Sequence, residues 1–332
     1  SSRKMVTRQP EYVLVLSGTF NPPHKGHVIL GAHSAKIMIQ SGNRVRKIIY
    51  VPVHDNYMVN KILGKPSANV MFIPMSKRVS SLQRMITDEP QCKEIEKKGI
   101  KQIVLPYENL NPQLLQTSAI WSQRLKEGYL KTISTSSLIE SIGEEYAKKG
   151  LRVAAIFGAD LLTYMPKWNN VDNIFKSADL VIIGRAIPRI DFAADPKKFL
   201  SNFHKVDVHF KLPVGFQNKT MFGDDLGSYD LKTRGPSRLF LLPPLPGKDE
   251  NLSSSRLRKD ISEFLQKMQT YGYPPSSVIE VLGFRGSWQT ELRDAAKRNK
   301  SHFVQGGKGS SVESVLKDFF DREGKQDPAS RL

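Results

Sequence analysis

Short apolar runs alternate along the chain with segments whose apolar residues recur at helical spacing. Residues 12–17 form a run of the buried-strand type, and residues 27–39 carry a helical pattern. The same patterns predict further strands at 47–53, 102–105, 151–157, 180–183 and 239–242, and further helices at 76–87, 134–149, 253–268 and 275–282. Strands separated by helices indicate an α/β fold, a Rossmann-like doubly wound parallel sheet.

The pattern also divides the chain into a main domain and its appendages. We expect an N-terminal tail over residues 1–11, a single domain over 12–284 and a C-terminal helical extension over 285–332. Within the domain, residues from about 186 to 237 contain several Pro and Gly and are too many for an ordinary loop. They are interpreted as an irregular insertion.

Charge indicates the chemistry of the partners, and cysteine content limits the disulfides and metal sites that the chain can form. The 50 Lys and Arg against 32 Asp and Glu give a net charge of +18, which favours nucleotides, nucleic acid or an acidic surface. The single cysteine, Cys92, excludes an intramolecular disulfide framework and a four-cysteine metal site. No run of 18 apolar residues occurs, so we expect no membrane-spanning helix and no membrane partner.

The first segment that can carry chemistry joins the first predicted strand to the first helix. Its sequence over residues 18–27 is GTFNPPHKGH. Gly18 and Gly26 allow a ligand or a neighbouring helix close to the backbone, and a helix N-terminus presents N–H groups suited to phosphate. Since His24 and His27 are three residues apart, both can point at that phosphate. The alternatives are a turn with two surface histidines, or a metal pair that no nearby acidic or cysteine ligand supports.

A second candidate phosphate site begins a later helix at residues 252–259, LSSSRLRK. Three cations in a first helical turn oppose the helix dipole, at about 0.3–1 kcal/mol each when exposed, and a bound polyphosphate would reverse that sign. The hydroxyls of Ser253, Ser254 and Ser255 would complete an anion cradle. The alternative is a capped surface helix with solvated arginines.

A third segment, FGADLL, lies at the end of the strand predicted over residues 151–157. A carboxylate at the carboxyl end of a strand, here Asp160, can accept hydrogen bonds from ribose hydroxyls. Gly158 would allow close approach of the backbone. The alternative is that Asp160 caps the next helix, and both roles can hold at once.

Together these segments resemble the nucleotidyltransferase superfamily with the HxGH signature, and within it the eukaryotic-type nicotinamide/nicotinate mononucleotide adenylyltransferases. Residues 18–27 match Gly-x-Phe-x-Pro-x-His-x-Gly-His at every fixed position. Residues 252–259 are similar to the family's Ile-Ser-Ser-Thr-x-x-Arg, which places its phosphate-binding arginine at Arg258. The resemblance covers roughly residues 12–283 without the insertion. Blocks typical of the nicotinamide branch have counterparts at residues 51–63, 106–110, 158–160 and 181–185.

Two positions depart from the pattern of that branch. The lysine that follows Tyr57 is displaced to Lys61. Tyr107 stands where many relatives have Trp, so its ring offers less area for stacking on a pyridine. Trp168 is another stacking candidate, and its alternative is a core or surface aromatic.

The resemblance implies an enzyme of NAD biosynthesis. Its reaction would be adenylyl transfer from ATP to nicotinamide mononucleotide, nicotinate mononucleotide or both, which forms NAD or its deamido form and pyrophosphate. The 5′-phosphate would attack the α-phosphorus in line without a covalent intermediate, so that catalysis rests on positioning and charge stabilisation. Mg²⁺ is expected with ATP, held through phosphates and water and not by protein ligands, and no prosthetic group is implied.

The resemblance also implies a role for each matching residue. The catalytic set is His24, His27 and Arg258. The set for ATP and its phosphates is Gly18, Thr19, Phe20, Lys25, Gly26, Ser253, Ser254 and Ser255. The set for the mononucleotide and ribose is Asn21, Tyr57, Lys61, Tyr107, Gly158, Asp160, Leu161, Trp168 and Arg185.

The sequence is compatible with more than one reaction, compartment and oligomeric state. The first signature also serves other HxGH nucleotidyltransferases, and the charge of +18 suits an RNA-binding protein, although no RNA-binding aromatic signature accompanies it. We expect a cytoplasmic protein. A peroxisome or related microbody is an alternative because Ser330-Arg331-Leu332 resembles the Ser-Lys-Leu address, and the nucleus is another. The preferred mononucleotide and a homo-oligomeric state are undecided.

Overall fold

A largely parallel sheet with helices on both faces makes up the part of the chain that the structure describes. The structure is a computed structural model, and it describes residues 10–58, 73, 75–110, 131–165, 168, 170–184, 225–231, 235–242 and 245. The strands are β1 (Glu11–Gly18), β2 (Arg44–Pro52), β3 (Lys101–Val104), β4 (Arg152–Gly158), β5 (Asp179–Ile183), β6 (Asp225–Leu231) and β7 (Gly235–Leu242). The helices are α1 (Lys25–Gln40), α2 (Met75–Asp88), α3 (Pro90–Lys97), α4 (Tyr107–Leu110), α5 (Thr135–Ala147) and α6 (Val171–Ser177), and a 3₁₀ helix spans Ala159–Thr163.

The strand order is β3-β2-β1-β4-β5-β7-β6, in which only the pairing of β6 with β7 is antiparallel. The chain moves outward from β1 to β3 on one side and from β4 on the other, so the order reverses between β1 and β4. In open α/β sheets a ligand binds at the carboxyl ends of the strands at such a reversal. The topology confirms the Rossmann-like doubly wound fold and places that position beyond Gly18 and Gly158.

Side chains of β1 alternate between the two faces of the sheet and contribute to two apolar layers. Val13 and Val15 pack in one layer with residues of α5 and α6. Leu14 and Leu16 pack in the other with residues of α1 and α2. A strand buried on both faces must be apolar at successive positions, which explains why residues 12–17 form a continuous apolar run.

A buried polar cluster joins the strands at the amino edge of the sheet. The carboxylate of Asp179, which is fully buried in β5, accepts hydrogen bonds from Tyr12 Oη at 3.0 Å and Arg152 Nη2 at 2.5 Å. It also accepts the backbone N–H of Arg238 at 3.1 Å. Burial and the neighbouring carboxylate raise the pKa of Tyr12. Charge-assisted hydrogen bonds therefore link β1, β4, β5 and β7 at the edge opposite to the expected ligand.

Where the structure describes them, the predicted strands and helices are present with ends that differ by a few residues. The pattern did not predict α3, α4, α6 or the 3₁₀ helix, which have eight residues or fewer and are too short to show a clear helical period. The prediction of irregular structure over about 186–237 is wrong for β6 and the first residues of β7. These form a hairpin at the sheet edge, where backbone pairing needs no continuous apolar run.

Several predictions fall outside the described residues. They include the N-terminal tail apart from its last two residues, most of the insertion, the helices at 253–268 and 275–282, and the C-terminal extension. The helices that are described contain none long and apolar enough to span a membrane.

Candidate active site

The turn between β1 and α1 lies at the carboxyl edge of the sheet, next to the end of β4. Phe20 adopts a φ of 45°, in the left-handed region, and its ring is buried. Asn21 is also buried, and its amide oxygen accepts the backbone N–H of Ile73 at 3.2 Å. The backbone N–H of Val53 donates to the Gly18 carbonyl at 3.0 Å. The turn is therefore tied to the segments that follow β2 and precede α2.

The two histidines of this turn are stacked on each other. The ring centroids of His24 and His27 are 3.7 Å apart with an interplanar angle of 29°, and the Phe20 ring meets His27 edge-on at 4.8 Å. Nδ1 of His27 accepts the backbone N–H of His24 at 3.1 Å, so the neutral imidazole of His27 carries its proton on Nε2. The N-terminus of α1 thus presents a hydrogen-bond donor on a ring that is fixed on two sides.

The rest of the predicted phosphate turn surrounds the same helix end. Gly26 is buried in the first turn of α1, whereas Thr19, Gly18 and Lys25 are half-buried. No acidic residue occupies that first turn. The N–H groups of a helix N-terminus and its dipole favour an anion there, so this turn has the electrostatics of a phosphate site.

Asp160 lies at the end of β4, next to β1 in the sheet. It is the second residue of the 3₁₀ helix, and the N-cap position is held by Gly158, so the alternative of Asp160 as the helix N-cap is wrong. A Cβ on Gly158 would lie 2.6 Å from Asp160 Oδ1. The absence of a side chain at Gly158 therefore makes room for the carboxylate. Leu161 packs against the core.

The three predicted aromatic residues have different surroundings. Tyr107 is buried in the core, and its hydroxyl lies 2.9 Å from Ser141 Oγ of α5. Trp168 is half-buried and meets Phe157 at 5.8 Å with an interplanar angle of 67°. Tyr57 is 42% exposed after β2. A stacking role for Tyr107 or Trp168 stays a prediction, because the described contacts of both rings are contacts with the protein.

Sequence reasoning missed a buried arginine behind the turn. Arg78 in α2 donates from Nη1 to the Thr19 carbonyl at 2.8 Å and from Nη2 to the Val53 carbonyl at 2.8 Å. Its Nη2 also donates to Asp55 Oδ1 at 2.8 Å, and its Nε donates to the Ile73 carbonyl at 2.9 Å. Burial lowers the pKa of Arg78, and the Asp55 carboxylate opposes that shift. An arginine on a polar helix gives no sequence signal that its side chain is buried.

Glu108 is a second buried charge that the sequence did not indicate. Its side chain is buried in α4, and its carboxylate accepts the backbone N–H of His54 at 3.0 Å. Burial raises the pKa of Glu108 to about 7, against the opposing effects of the His54 N–H and the Arg78 guanidinium. The helix after β3 therefore carries a group that titrates near neutral pH, in contact with the segment after β2.

The remaining predicted residues lie outside the described part of the chain. They are Lys61, Arg185, Ser253, Ser254, Ser255 and Arg258. Their roles stay predictions. Among the described residues, no group of three or more His, Cys, Asp or Glu side chains is placed to hold a metal ion.

Comparison with a family model identifies the class to which this site belongs. The model of the family described as cytidylyltransferase-like matches residues 15–260, from β1 to the segment that contains Arg258. The chain belongs to the cytidylyltransferase-like family. Because cytidylyltransferases share the HxGH signature, this membership confirms the superfamily that residues 18–27 indicated. It supports nucleotidyl transfer as the class of reaction at the histidine turn.

The chain is also similar to two solved structures of Plasmodium falciparum nicotinic acid mononucleotide adenylyltransferase. One is complexed with APC and the other with NaAD. They are 13% and 14% identical to this family member, with TM-scores of 0.45 and 0.46, and each match covers 88% of this chain and 98% of the other. Likeness at this level assigns no substrate to this chain. No curated protein matches the sequence.

Proposed function

We propose that the chain transfers the adenylyl group of ATP to nicotinamide mononucleotide, nicotinate mononucleotide or both, and so forms NAD or its deamido form and pyrophosphate. The observation that carries this proposal is the stacked His24–His27 pair at the N-terminus of α1, where the strand order reverses. Membership of the cytidylyltransferase-like family supports nucleotidyl transfer. The resemblance of residues 51–63, 106–110 and 158–160 to the nicotinamide branch supports a pyridine mononucleotide as the acceptor.

The chemistry is a displacement at the α-phosphorus of ATP. An oxygen of the mononucleotide 5′-phosphate forms a bond to that phosphorus, and the bond to the bridging oxygen of pyrophosphate breaks. Pyrophosphate leaves with that oxygen and the electron pair. Nε2–H of His27 donates to a phosphate oxygen as negative charge shifts in the transition state, and Asp160 accepts a hydrogen bond from a ribose hydroxyl. No protein side chain becomes covalently attached.

Magnesium enters this scheme as part of the ATP substrate. The donors at the turn include the His27 imidazole and backbone N–H groups of the α1 N-terminus, which suit phosphate oxygens, whereas Mg²⁺ prefers oxygen ligands and retains several waters. The protein would therefore hold the phosphates, and the phosphates would hold the metal ion. The ion partly neutralises the triphosphate.

A product assay tests the reaction. The protein is incubated with MgATP and each mononucleotide, and the nucleotides are separated by chromatography. Equal amounts of dinucleotide and pyrophosphate support the proposal, whereas no dinucleotide with either mononucleotide overturns it. Transfer from CTP and not from ATP would indicate a different HxGH nucleotidyltransferase. Salt-sensitive RNA binding by a chain that forms no dinucleotide would indicate an RNA-binding protein.

Stereochemistry tests the direct attack. A single diastereomer of ATP with sulfur on the α-phosphorus yields a product with inverted configuration when one displacement occurs. A covalent enzyme intermediate needs two displacements and gives retention. Inversion supports in-line attack by the mononucleotide, and retention contradicts it.

A further inference from the structure

The guanidinium of Arg78 lies where the turn after β1 meets the start of the segment after β2 and the residue Ile73 before α2. Its side chain is fully buried, and its four hydrogen bonds are to the carbonyls of Thr19, Val53 and Ile73 and to the carboxylate of Asp55. Thr19 follows β1, Val53 and Asp55 follow β2, and Ile73 precedes α2. The proposed reaction gives this residue no role.

Burying a guanidinium costs free energy unless its N–H groups are hydrogen-bonded and its charge is paired. An apolar side chain could fill the same volume. It would leave three loop carbonyls without this donor, and a buried carbonyl without a hydrogen bond is destabilising. The planar fork of an arginine can reach several acceptors in fixed directions, which a lysine cannot do. The hydrogen bonds of Arg78 therefore fix the positions of these backbone segments, in addition to filling volume in the core.

The hydrogen bond to Thr19 fixes the orientation of one peptide group of the turn. The peptide between Thr19 and Phe20 is trans, and in a planar trans peptide the C=O and N–H point in opposite directions. Because the Thr19 carbonyl points at Arg78, the Phe20 N–H points away from it. The ring of Phe20 in turn meets His27 edge-on, so Arg78 is linked to the donor imidazole through the Thr19 carbonyl and the Phe20 ring.

Two further contacts brace the same arrangement. Asp55 Oδ1 accepts from Arg78 and also from the backbone N–H of Met75, the first residue of α2, at 2.8 Å. Ile73 donates its backbone N–H to Asn21 and accepts from Arg78 through its carbonyl. The hydrogen bonds of Asp55 and Ile73 thus hold the turn after β1 and the start of α2 together around the guanidinium.

We propose that Arg78 is a positioning residue for nucleotidyl transfer. It fixes the peptide between Thr19 and Phe20, and through Phe20 the ring of His27, against the segment after β2. It does not touch the phosphates. This inference rests on the proposed function.

The test compares Arg78→Lys with Arg84→Lys, a matched change at an exposed arginine of the same helix. Both variants are measured for kcat, for KM of each substrate and for Tm, with rates expressed per folded molecule. Misplacement of a reacting group by about 1 Å can cost about 100-fold, so we expect Arg78→Lys to lower kcat about 100-fold with little change in KM. Arg84→Lys is expected to match the wild type. Added guanidinium ion is expected to restore part of the kcat of Arg78→Ala.

The proposal is overturned if Arg78→Lys has the wild-type kcat per folded molecule. A lower Tm with that unchanged kcat would mean that Arg78 contributes to stability alone. If Arg78→Ala does not fold, the kcat values of Arg78→Lys and Arg78→Gln per folded molecule test the proposal instead. If the wild type forms no dinucleotide, the proposed function fails, and amide hydrogen exchange then tests Arg78 separately. Faster exchange in Arg78→Lys at residues 19–24, with protection retained in β4 and β5, supports the positioning of the turn, and unchanged exchange contradicts it.

Discussion

The backbone N–H of His24 donates a hydrogen bond to Nδ1 of His27 over 3.1 Å, and their rings stack with centroids 3.7 Å apart. This contact uses one ring nitrogen of His27 to hold the turn and leaves the other as a donor. Protonation of Nδ1 would remove the acceptor and with it the hydrogen bond. The proposed catalytic donor and the local structure of the turn therefore depend on the same imidazole.

Two amide substitutions separate these functions of His27. Asparagine places an acceptor near the position of Nδ1, and glutamine places a donor near the position of Nε2. We expect His27→Asn to keep the wild-type Tm and lose kcat by about 100-fold or more, the typical effect of removing a transition-state donor. We expect His27→Gln to retain more activity with a lower Tm. Steady-state kinetics and thermal unfolding measure both.

His33→Gln, a change at another histidine of α1, is the control for these variants. Nitrogen chemical shifts of labelled histidine then identify the tautomer, with His27→Asn to assign the signal. A proton found on Nδ1 of the neutral His27 ring would contradict the assigned hydrogen bond. Equal kcat values for the Asn and Gln variants would contradict the division of roles.

Gly158→Ala should affect substrate binding more than folding. The new Cβ would lie 2.6 Å from Asp160 Oδ1, and a carboxylate at the end of a side chain can rotate away. The φ of Gly158 is −70°, so alanine causes no backbone strain. Loss of a hydrogen bond to a charged group costs about 1.5–3 kcal/mol, so we expect KM for the substrate whose ribose is proposed to contact Asp160 to rise about tenfold or more.

Gly42→Ala is the contrasting variant, since Gly42 has a φ of 85° in the turn after α1. Alanine is strained there, so Tm should fall with no change in KM. A KM for Gly158→Ala that equals the wild-type value would contradict a substrate contact of Asp160.

Glu108 should make folding stability depend on pH. Its pKa is raised from an ordinary 4.5 to about 7 in the folded chain, so the folded state binds more protons than the unfolded state between these values. The contribution of this residue to stability is therefore present below pH 4.5 and is lost as pH rises to about 7. The difference amounts to about 3 kcal/mol at 1.36 kcal/mol per pKa unit.

Glu108→Gln removes this titration and keeps an acceptor for the His54 N–H. We expect the free energy of unfolding of Glu108→Gln, relative to the wild type, to increase between pH 4.5 and 7 and then level off. Denaturant titration at several pH values measures it, with Glu96→Gln at an exposed position of α3 as the control. A difference that does not vary with pH would mean that Glu108 titrates in its ordinary range.

Gly31→Ala should destabilise the packing of α1 on β2. A Cβ at Gly31 would overlap the hydroxyl of Tyr50 and lie 2.8 Å from its Cζ. Tyr50 is fully buried and donates to the Val28 carbonyl at 3.0 Å, so its ring cannot move aside. The helix gains about 0.5–1 kcal/mol from alanine, but overpacking costs about 1–3 kcal/mol.

We therefore expect a net loss of stability for Gly31→Ala in denaturant unfolding. Gln40→Ala, at the exposed end of the same helix, should change stability little. A Gly31→Ala protein more stable than the wild type would show that the Tyr50 ring relaxes at no cost.

Much of the candidate site was predictable because it is local in sequence. The apolar run of β1, the turn and the start of α1 are consecutive, and a separation of three residues brings His24 and His27 to one side of a helix end whatever the rest of the chain does. The parallel sheet followed from the alternation of strands and helices. Short helices such as α3 and the edge strand β6 were missed because neither has a distinct hydrophobic period.

The sequence by itself determined the fold class, the turn and the identity of its histidines, since these depend on periodicity and on neighbouring residues. Only the tertiary structure decided which distant groups meet behind the turn. Arg78 reaches Thr19 across 59 positions, and Glu108 reaches His54 across 54. It also decided that Tyr107 is buried in the core. Local patterns cannot decide such questions, because burial and long-range hydrogen bonds depend on how whole elements pack.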